Sequence, residues 1–216
     1  MHTIMKKSRE LVCFISHLDD FEFSCLGFLF KNHERYERIK IIIATTWSEK
    51  ERVWRDNLKK IIEFIDRDLE YINLGFEQRT LNKNFDDMKD KFYKNLTFCD
   101  YCDIITHDAE DLHSDHNSVH KAAIGMLKHS DKFITIYSPS SYGYIPNYYV
   151  SMTEEEFDFK HSLLTEYDFA KEQSYSKKGS YFRKEYTNIA GIYSMENFIN
   201  REMEYCEIYK IYKWVE

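Results

Sequence analysis

Two short stretches of this chain concentrate side chains that do chemistry. In CFISHLDDFEF (Cys13–Phe23) an apolar run stops abruptly at His17, Asp19 and Asp20. In THDAEDLHSDHNSVH (106–120), four of the nine histidines (His107, His113, His116 and His120) are interleaved with Asp108, Asp111 and Asp115. Imidazoles and a carboxylate drawn from two such stretches make a three-ligand set of the kind catalytic zinc uses, with the fourth position left to water. Such a metal brings the pKa of its water down to about 7. A carboxylate that does not ligate can take that water's proton, and a protonated histidine can stabilise the oxyanion that forms. The supply of Asp and His exceeds what a metal needs, which is what a hydrolase requires.

Each stretch has a plainer reading of its own. Asp19 or Asp20 could cap a helix that follows the strand, and the second stretch could be a solvated acidic loop with His116 and His120 one helical turn apart. What favours chemistry is where both stretches fall. ELVCFIS (10–16), KIIIATT (40–46), EYINL (70–74), CDIIT (102–106) and KFITIYS (132–138) read as strands. Helix-period segments alternate with them at 21–33, 49–65, 86–98 and 117–129, the last capped by Ser114 or Asp115. Continuous rather than alternating apolar strands belong to a sheet covered on both faces. Strand–helix alternation gives βαβ units with right-handed crossovers. The expected fold is α/β, one Rossmann-like three-layer domain over 1–216 with a mostly parallel sheet. Ligands of such sheets bind at the carboxyl ends of the strands, and there lie His17, Asp19 and Asp20, and the histidine cluster.

After Ser138 the rhythm changes. PSSYGYIPNYYVSMT reads as a tyrosine-rich loop, Thr153 to about Lys171 as a helix, and the alternating EIYKIYKW (207–214) as a half-exposed antiparallel edge strand.

Composition narrows the function classes. With 216 residues, 43% hydrophobic and 31% charged, the chain is an ordinary globular protein. A net charge of -7 with dispersed Lys and Arg argues against nucleic-acid binding. The apolar run Leu11–Ile15 is too short for a signal sequence, and no segment approaches the ~20 apolar residues of a membrane span; a cytoplasmic protein is the expectation. Five irregularly spaced cysteines do not make a disulfide framework. The lone C-x-x-C at Cys99 and Cys102 lacks the second pair of a zinc site and reads as reduced thiols.

On these residues the sequence resembles the PIG-L/LmbE-like family of zinc-dependent N-deacetylases. Its A-H-P-D-D-E signature stands here as SHLDDFEF (16–23), and its H-x-D-H signature as HSDH (113–116), in the family's order. IIIATTW, CDIITHDAED, YIPNYYVSMTEEEFDFK and GIYSMENF (191–198) extend the likeness over nearly the whole chain. The resemblance implies zinc (or iron, which suits the same ligands) on His17, Asp20 and His116. It makes Asp19 the general base and later the acid for the leaving amine. His113 becomes the charged group on the oxyanion, and Asp115 the residue that orients a neighbouring histidine. It implies removal of acetyl from an N-acetylglucosamine-type conjugate carrying an inositol, organic acid, lipid or nucleotide.

Two positions depart from the family: Leu18 replaces its proline and Phe21 its acidic residue, while Glu22 follows. These motivate an alternative, a family member that binds a glycan or partner without turnover; a non-acetyl or non-sugar amide is another. Arg55 sits where relatives often carry a substrate-binding arginine, without the glutamate that usually follows it, and a solvated surface arginine is the competing reading. Tyr142, Tyr144, Tyr148 and Tyr149 are candidates to line a sugar pocket, with core or interface roles as the competing reading. A homo-oligomer is compatible with the sequence.

Overall fold

The computed structural model describes residues 9–96, 101–167 and 205–214. Five runs rich in β-branched residues form neighbouring parallel strands: Arg9–Ile15 (β1), Arg38–Thr46 (β2), Glu70–Glu77 (β3), Tyr101–His107 (β4) and Lys132–Ile136 (β5). Between them lie Leu18–Ser24 (α1), Leu26–Asn32 (α2), Ser48–Ile65 (α3), Phe85–Lys94 (α4) and Ser114–Ala123 (α5). Tyr148–Met152 (β6), Glu154–Thr165 (α6) and Tyr205–Trp214 (β7) follow.

The sheet order is β3-β2-β1-β4-β5-β7-β6. The chain runs outward from β1 to β3, then returns to lay β4 on the other side of β1. That reversal opens a crevice at the carboxyl ends of β1 and β4, where α/β folds bind ligands. The two strands are hydrogen-bonded neighbours, with Phe14 opposite Thr106. The loops after them therefore emerge side by side, though about ninety residues apart in sequence.

Side chains of β1 alternate between two cores. Leu11, Cys13 and Ile15 pack with Phe21, Leu29, Trp54, Ile61 and Leu163 on one face. Val12 and Phe14 pack with Met88 and Phe92 of α4 and Val119 and Ala122 of α5 on the other. The Phe14 and Phe92 rings stack at 3.9 Å. Each such side chain contributes about 1.5–3 kcal/mol when buried, so the strand that presents His17 is clamped from both sides. This is the three-layer, mostly parallel arrangement expected.

Four details differ from the sequence reading. The helix expected over 21–33 starts at Leu18 and is broken at Cys25 (φ -126°, ψ -14°) into α1 and α2. Past the break, Gly27 lies against the buried carboxylate of Glu207, which a Cβ there would approach to 2.9 Å. The antiparallel strand β7 is present, but it is not the edge, because β6 pairs outside it. β6 comes from the stretch read as loop; its Val150 and Met152 are buried while its tyrosines are half-buried. That alternation was masked by the polar residues around it. Finally, α5 starts at Ser114 and gives way to a 3₁₀ turn at Ile124–Met126.

The ends of the expected helices at 97–98 and 168–171, Cys99 and the GIYSMENF motif lie outside the described residues. Cys13, Cys25, Cys102 and Cys206 are buried. No helix among the described residues is long and apolar enough to cross a membrane.

Candidate active site

His17, with Ser16, links β1 to α1 and is in extended conformation (φ -119°, ψ 163°). Asp19 and Asp20 occupy the first turn of α1, where carboxylates are favoured by the helix dipole. Asp20 also serves the capping role: its Oδ2 accepts the His17 backbone N–H at 3.0 Å. The plainer reading of this stretch is thus correct, and it is compatible with chemistry, because capping holds the same oxygen against the His17 ring.

On the β4 side, the cap of α5 is His113 rather than Ser114 or Asp115; its Nδ1 accepts the Asp115 N–H. His116 lies one turn inside that helix. His17 Nδ1, Asp20 Oδ2 and His116 Nε2 form a nearly equilateral triangle, with sides of 3.0, 3.2 and 3.2 Å. A tetrahedral ion with bonds of 2.0–2.1 Å requires donor separations of about 3.3 Å. The three residues that the family resemblance implies therefore have the spacing of a zinc-sized cation's donors.

The outward nitrogens are fixed as metal chemistry demands. His17 Nε2 faces Asp115 Oδ2 at 3.3 Å, and His116 Nδ1 faces Asp111 Oδ2 at 2.8 Å. With a proton held toward each carboxylate, both remaining lone pairs point into the triangle. Asp115 is itself anchored, accepting the Arg79 N–H at 2.6 Å. The neighbouring histidine that it meets is His17, across the crevice. His107 stacks on His116 at 3.9 Å, but its Nε2 accepts the Ser16 N–H at 2.9 Å. That lone pair is engaged by the Ser16 N–H, although the His107 ring also lies within reach of an ion shared with Asp20 and His116. His120, also buried, donates from Nδ1 to the His107 carbonyl.

Electrostatics follow from this crowding of charge. Burial opposes charge on Asp20, yet His116 and His17 hold it well below the carboxylate range. Burial likewise works against protonated His17 and His116, but Asp20 and the orienting carboxylates raise them to about 9 and about 10. Asp19 moves the other way, to about 6, through burial and the neighbouring Asp20 charge. His113 is pushed below its ordinary value by burial and by His116. Both effects work against the charged form that the resemblance implies for it. Since its Nδ1 accepts from Asp115 N–H, its proton sits on Nε2, available for donation.

These groups open onto a cavity of about 230 Å³ lined by His17, Asp19, Asp20, Phe23, His113, His116, Pro139 and Ser140. Sequence reasoning gave Asp111 no role. It is buried and accepts from His116, the His113 N–H and the hydroxyls of Ser138 and Ser140. The signal that could have found it is its place within the Asp/His cluster, two residues before His113.

The substrate-side candidates are not all brought to the cavity. Arg55 pairs with Glu51 at 2.9 Å on the outside of α3 and lies over Tyr71, and it does not line the cavity. Tyr144 is buried, its hydroxyl donating to the Thr135 carbonyl at 2.7 Å. Tyr148 packs on Phe28 and Tyr209. Tyr142 is exposed on the neighbouring loop. Phe21, at the family's acidic position, meets Trp54 edge-on in the core, while Glu22 is buried against Asn57.

The sequence from 12 to 127 matches the model of the PIG-L family, GlcNAc-PI de-N-acetylase. The chain belongs to that family. Both halves of the crevice fall inside the PIG-L match, and membership makes the protein a hydrolase of the deacetylase class. Similar solved structures span nearly all of it. N,N'-diacetylchitobiose deacetylase from Pyrococcus horikoshii is 15% identical, with a TM-score of 0.66 over 95% of this chain and 84% of its own. The A40926 pseudoaglycone deacetylase Dbv21 is 12% identical, with a TM-score of 0.65 over 98% and 100%. The 4-carboxy-2-hydroxymuconate hydratase GalB from Pseudomonas putida is 13% identical, with a TM-score of 0.60 over 96% and 98%. At these identities the likeness speaks for the PIG-L fold alone, on which a hydratase also appears. Among curated proteins none is similar enough in sequence to register as a relative.

Proposed function

We propose that the protein is a metal-dependent N-deacetylase that removes acetyl from the nitrogen of an N-acetylglucosamine-type amino sugar or its conjugate. The observation that carries this reading is the His17–Asp20–His116 triangle with Asp19 beside it in one cavity. A divalent ion held there, zinc or iron, would supply a Lewis acid for the amide carbonyl and acidify a water.

The chain's own groups account for the proton traffic. Asp19 lines the cavity without joining the triangle and takes the proton of the attacking water. A carboxyl with a pKa of about 6 holds that proton only loosely near neutrality. It passes the proton to the amide nitrogen, so the C–N bond breaks to give a free amine and acetate. His113 donates from Nε2 to the carbonyl oxygen as negative charge develops on it. Asp111 and Asp115 keep the two ligand rings turned inward. Leu18 is buried and Phe21 lies in the core, so neither departure from the family motif removes a reacting group.

The test pairs metal content with turnover. Protein purified without added metal should carry about one zinc or iron per chain, largely lost in His116→Ala. It should release acetate from N-acetylglucosamine conjugates. A wild type that stays empty when supplied with metal would refute the proposal.

A further inference from the structure

The pair of loops that borders the cavity carries two large apolar side chains that packing does not use. The loop after β4 and the loop after β5 run antiparallel there. Asp111 pairs with Ser141, Leu112 N–H donates to the Ser140 carbonyl at 3.0 Å, and Tyr142 N–H donates to the Glu110 carbonyl at 3.1 Å. Below the wall, the Asp111 carboxylate accepts the Ser138 and Ser140 hydroxyls. On it stand Leu112 and Tyr142, each 75% exposed. They occupy diagonal positions across the Asp111–Ser141 bridge, which brings such side chains to roughly 7–8 Å. His113, next to Leu112, and Pro139 and Ser140, before Tyr142, line the cavity itself.

A single exposed leucine needs no explanation. Here, though, two of the most exposed apolar side chains share one hydrogen-bonded wall whose inner residues form the cavity. We infer that the wall is a subsite for an apolar or aromatic group attached to the amino sugar, with Leu112 and Tyr142 its contact residues. The inference rests on the amino-sugar reading above and names the class of substrate that site takes. Leu112 adjoins the cavity-lining His113 in sequence, and Tyr142 lies two residues past the cavity-lining Ser140, so a group carried outward past His113 and Ser140 comes within reach of this pair. The wall is braced before binding, so ordering it costs little when a ligand arrives. Two side chains fall far short of the roughly 800 Å² per partner of a stable protein interface, which favours part of a small substrate over a protein.

The test compares phenyl and methyl N-acetyl-β-D-glucosaminide, which differ only in the attached group. Their binding to metal-loaded protein is measured by calorimetry in an Asp19→Asn background, with and without Leu112→Ser plus Tyr142→Ser. The phenyl glycoside should bind on the order of tenfold more tightly, as expected from roughly 60 Å² of buried apolar surface. With the two serines the ratio should fall to near one, leaving methyl glycoside affinity and the unfolding midpoint unchanged. Equal affinities in the parent, or a preference that survives the substitutions, overturns the inference. So does a parent protein that dimerises where the serine variant stays monomeric, since a second copy would then cover the wall. Acetate release is followed separately in the wild type. A phenyl preference without any acetate release would refute the deacetylase reading and leave the apolar subsite standing.

Discussion

The Nδ1 atom of His116 lies 2.8 Å from Oδ2 of Asp111, and the same carboxylate accepts the His113 backbone N–H. One buried side chain thus sets the orientation of the proposed metal ligand and the position of the proposed oxyanion donor. Metal sites commonly use carboxylates in this way, and their loss typically costs 10–100-fold in metal affinity. Asp111→Asn is therefore expected to weaken zinc binding by roughly 10–100-fold, as measured by competition with a chromophoric chelator. Asn can still receive the His113 N–H, so the fold should survive. Unchanged affinity would show that the contact is only structural.

Asp19 is separable from the triangle, and its substitution should show that. Asp19→Asn should leave metal content near wild type while lowering kcat/KM by about 10²–10⁴-fold, the usual contribution of a general acid–base group. Parallel loss of metal and activity would instead make Asp19 a ligand.

Metal binding should release protons. In the metal-free site His17 and His116 hold theirs up to about pH 9 and about pH 10, because Asp20, Asp115 and Asp111 surround them. A cation bound to Nδ1 of His17 and Nε2 of His116 must displace those protons. Zinc affinity should thus climb with pH until about 9 to 10, with about two protons released per ion near pH 7. Calorimetry in two buffers of different ionisation enthalpy measures this count. A value near zero would place the metal elsewhere or leave the histidines neutral beforehand.

Much of this site was legible because its residues cluster in sequence at strand ends, as His17, Asp20 and His116 do. Their convergence follows from β4 lying beside β1, and strand–helix alternation foretells such a sheet. What sequence could not give was partner choice among neighbours. Asp111 and Asp115 are the same residue type, each two residues from His113, and the start of α5 at Ser114 sends Asp115, the one adjacent to His116 in sequence, to His17 and leaves Asp111 for His116. The protonation of His113 was hidden for a similar reason, since it depends on which nitrogen caps the helix. Tyr144 was misplaced because a tyrosine with a carbonyl partner satisfies the core as well as a pocket. The edge strand β6 was hidden by its polar surroundings, although Val150 and Met152 carry the alternation.

Glu22 offers a prediction about stability. It is fully buried on α1, accepts from Asn57 Nδ2 at 2.8 Å, and burial raises its pKa from 4.5 to about 8. In the unfolded chain it would ionise near its ordinary value. Between those two values the folded protein binds more protons than the unfolded one, so stability falls as pH rises through this window. The slope from this residue is at most roughly 1.4 kcal/mol per pH unit. Gln in its place keeps the volume and can accept from Asn57 without ever ionising. Urea unfolding of wild type and Glu22→Gln at pH 5.5 and pH 8 isolates the effect, because contributions from other groups cancel in the difference. The variant should gain stability relative to wild type on going to the higher pH, by a few kcal/mol at most. An unchanged difference would mean that Glu22 is ionised in the folded protein across this range, with a charge partner strong enough to offset its burial.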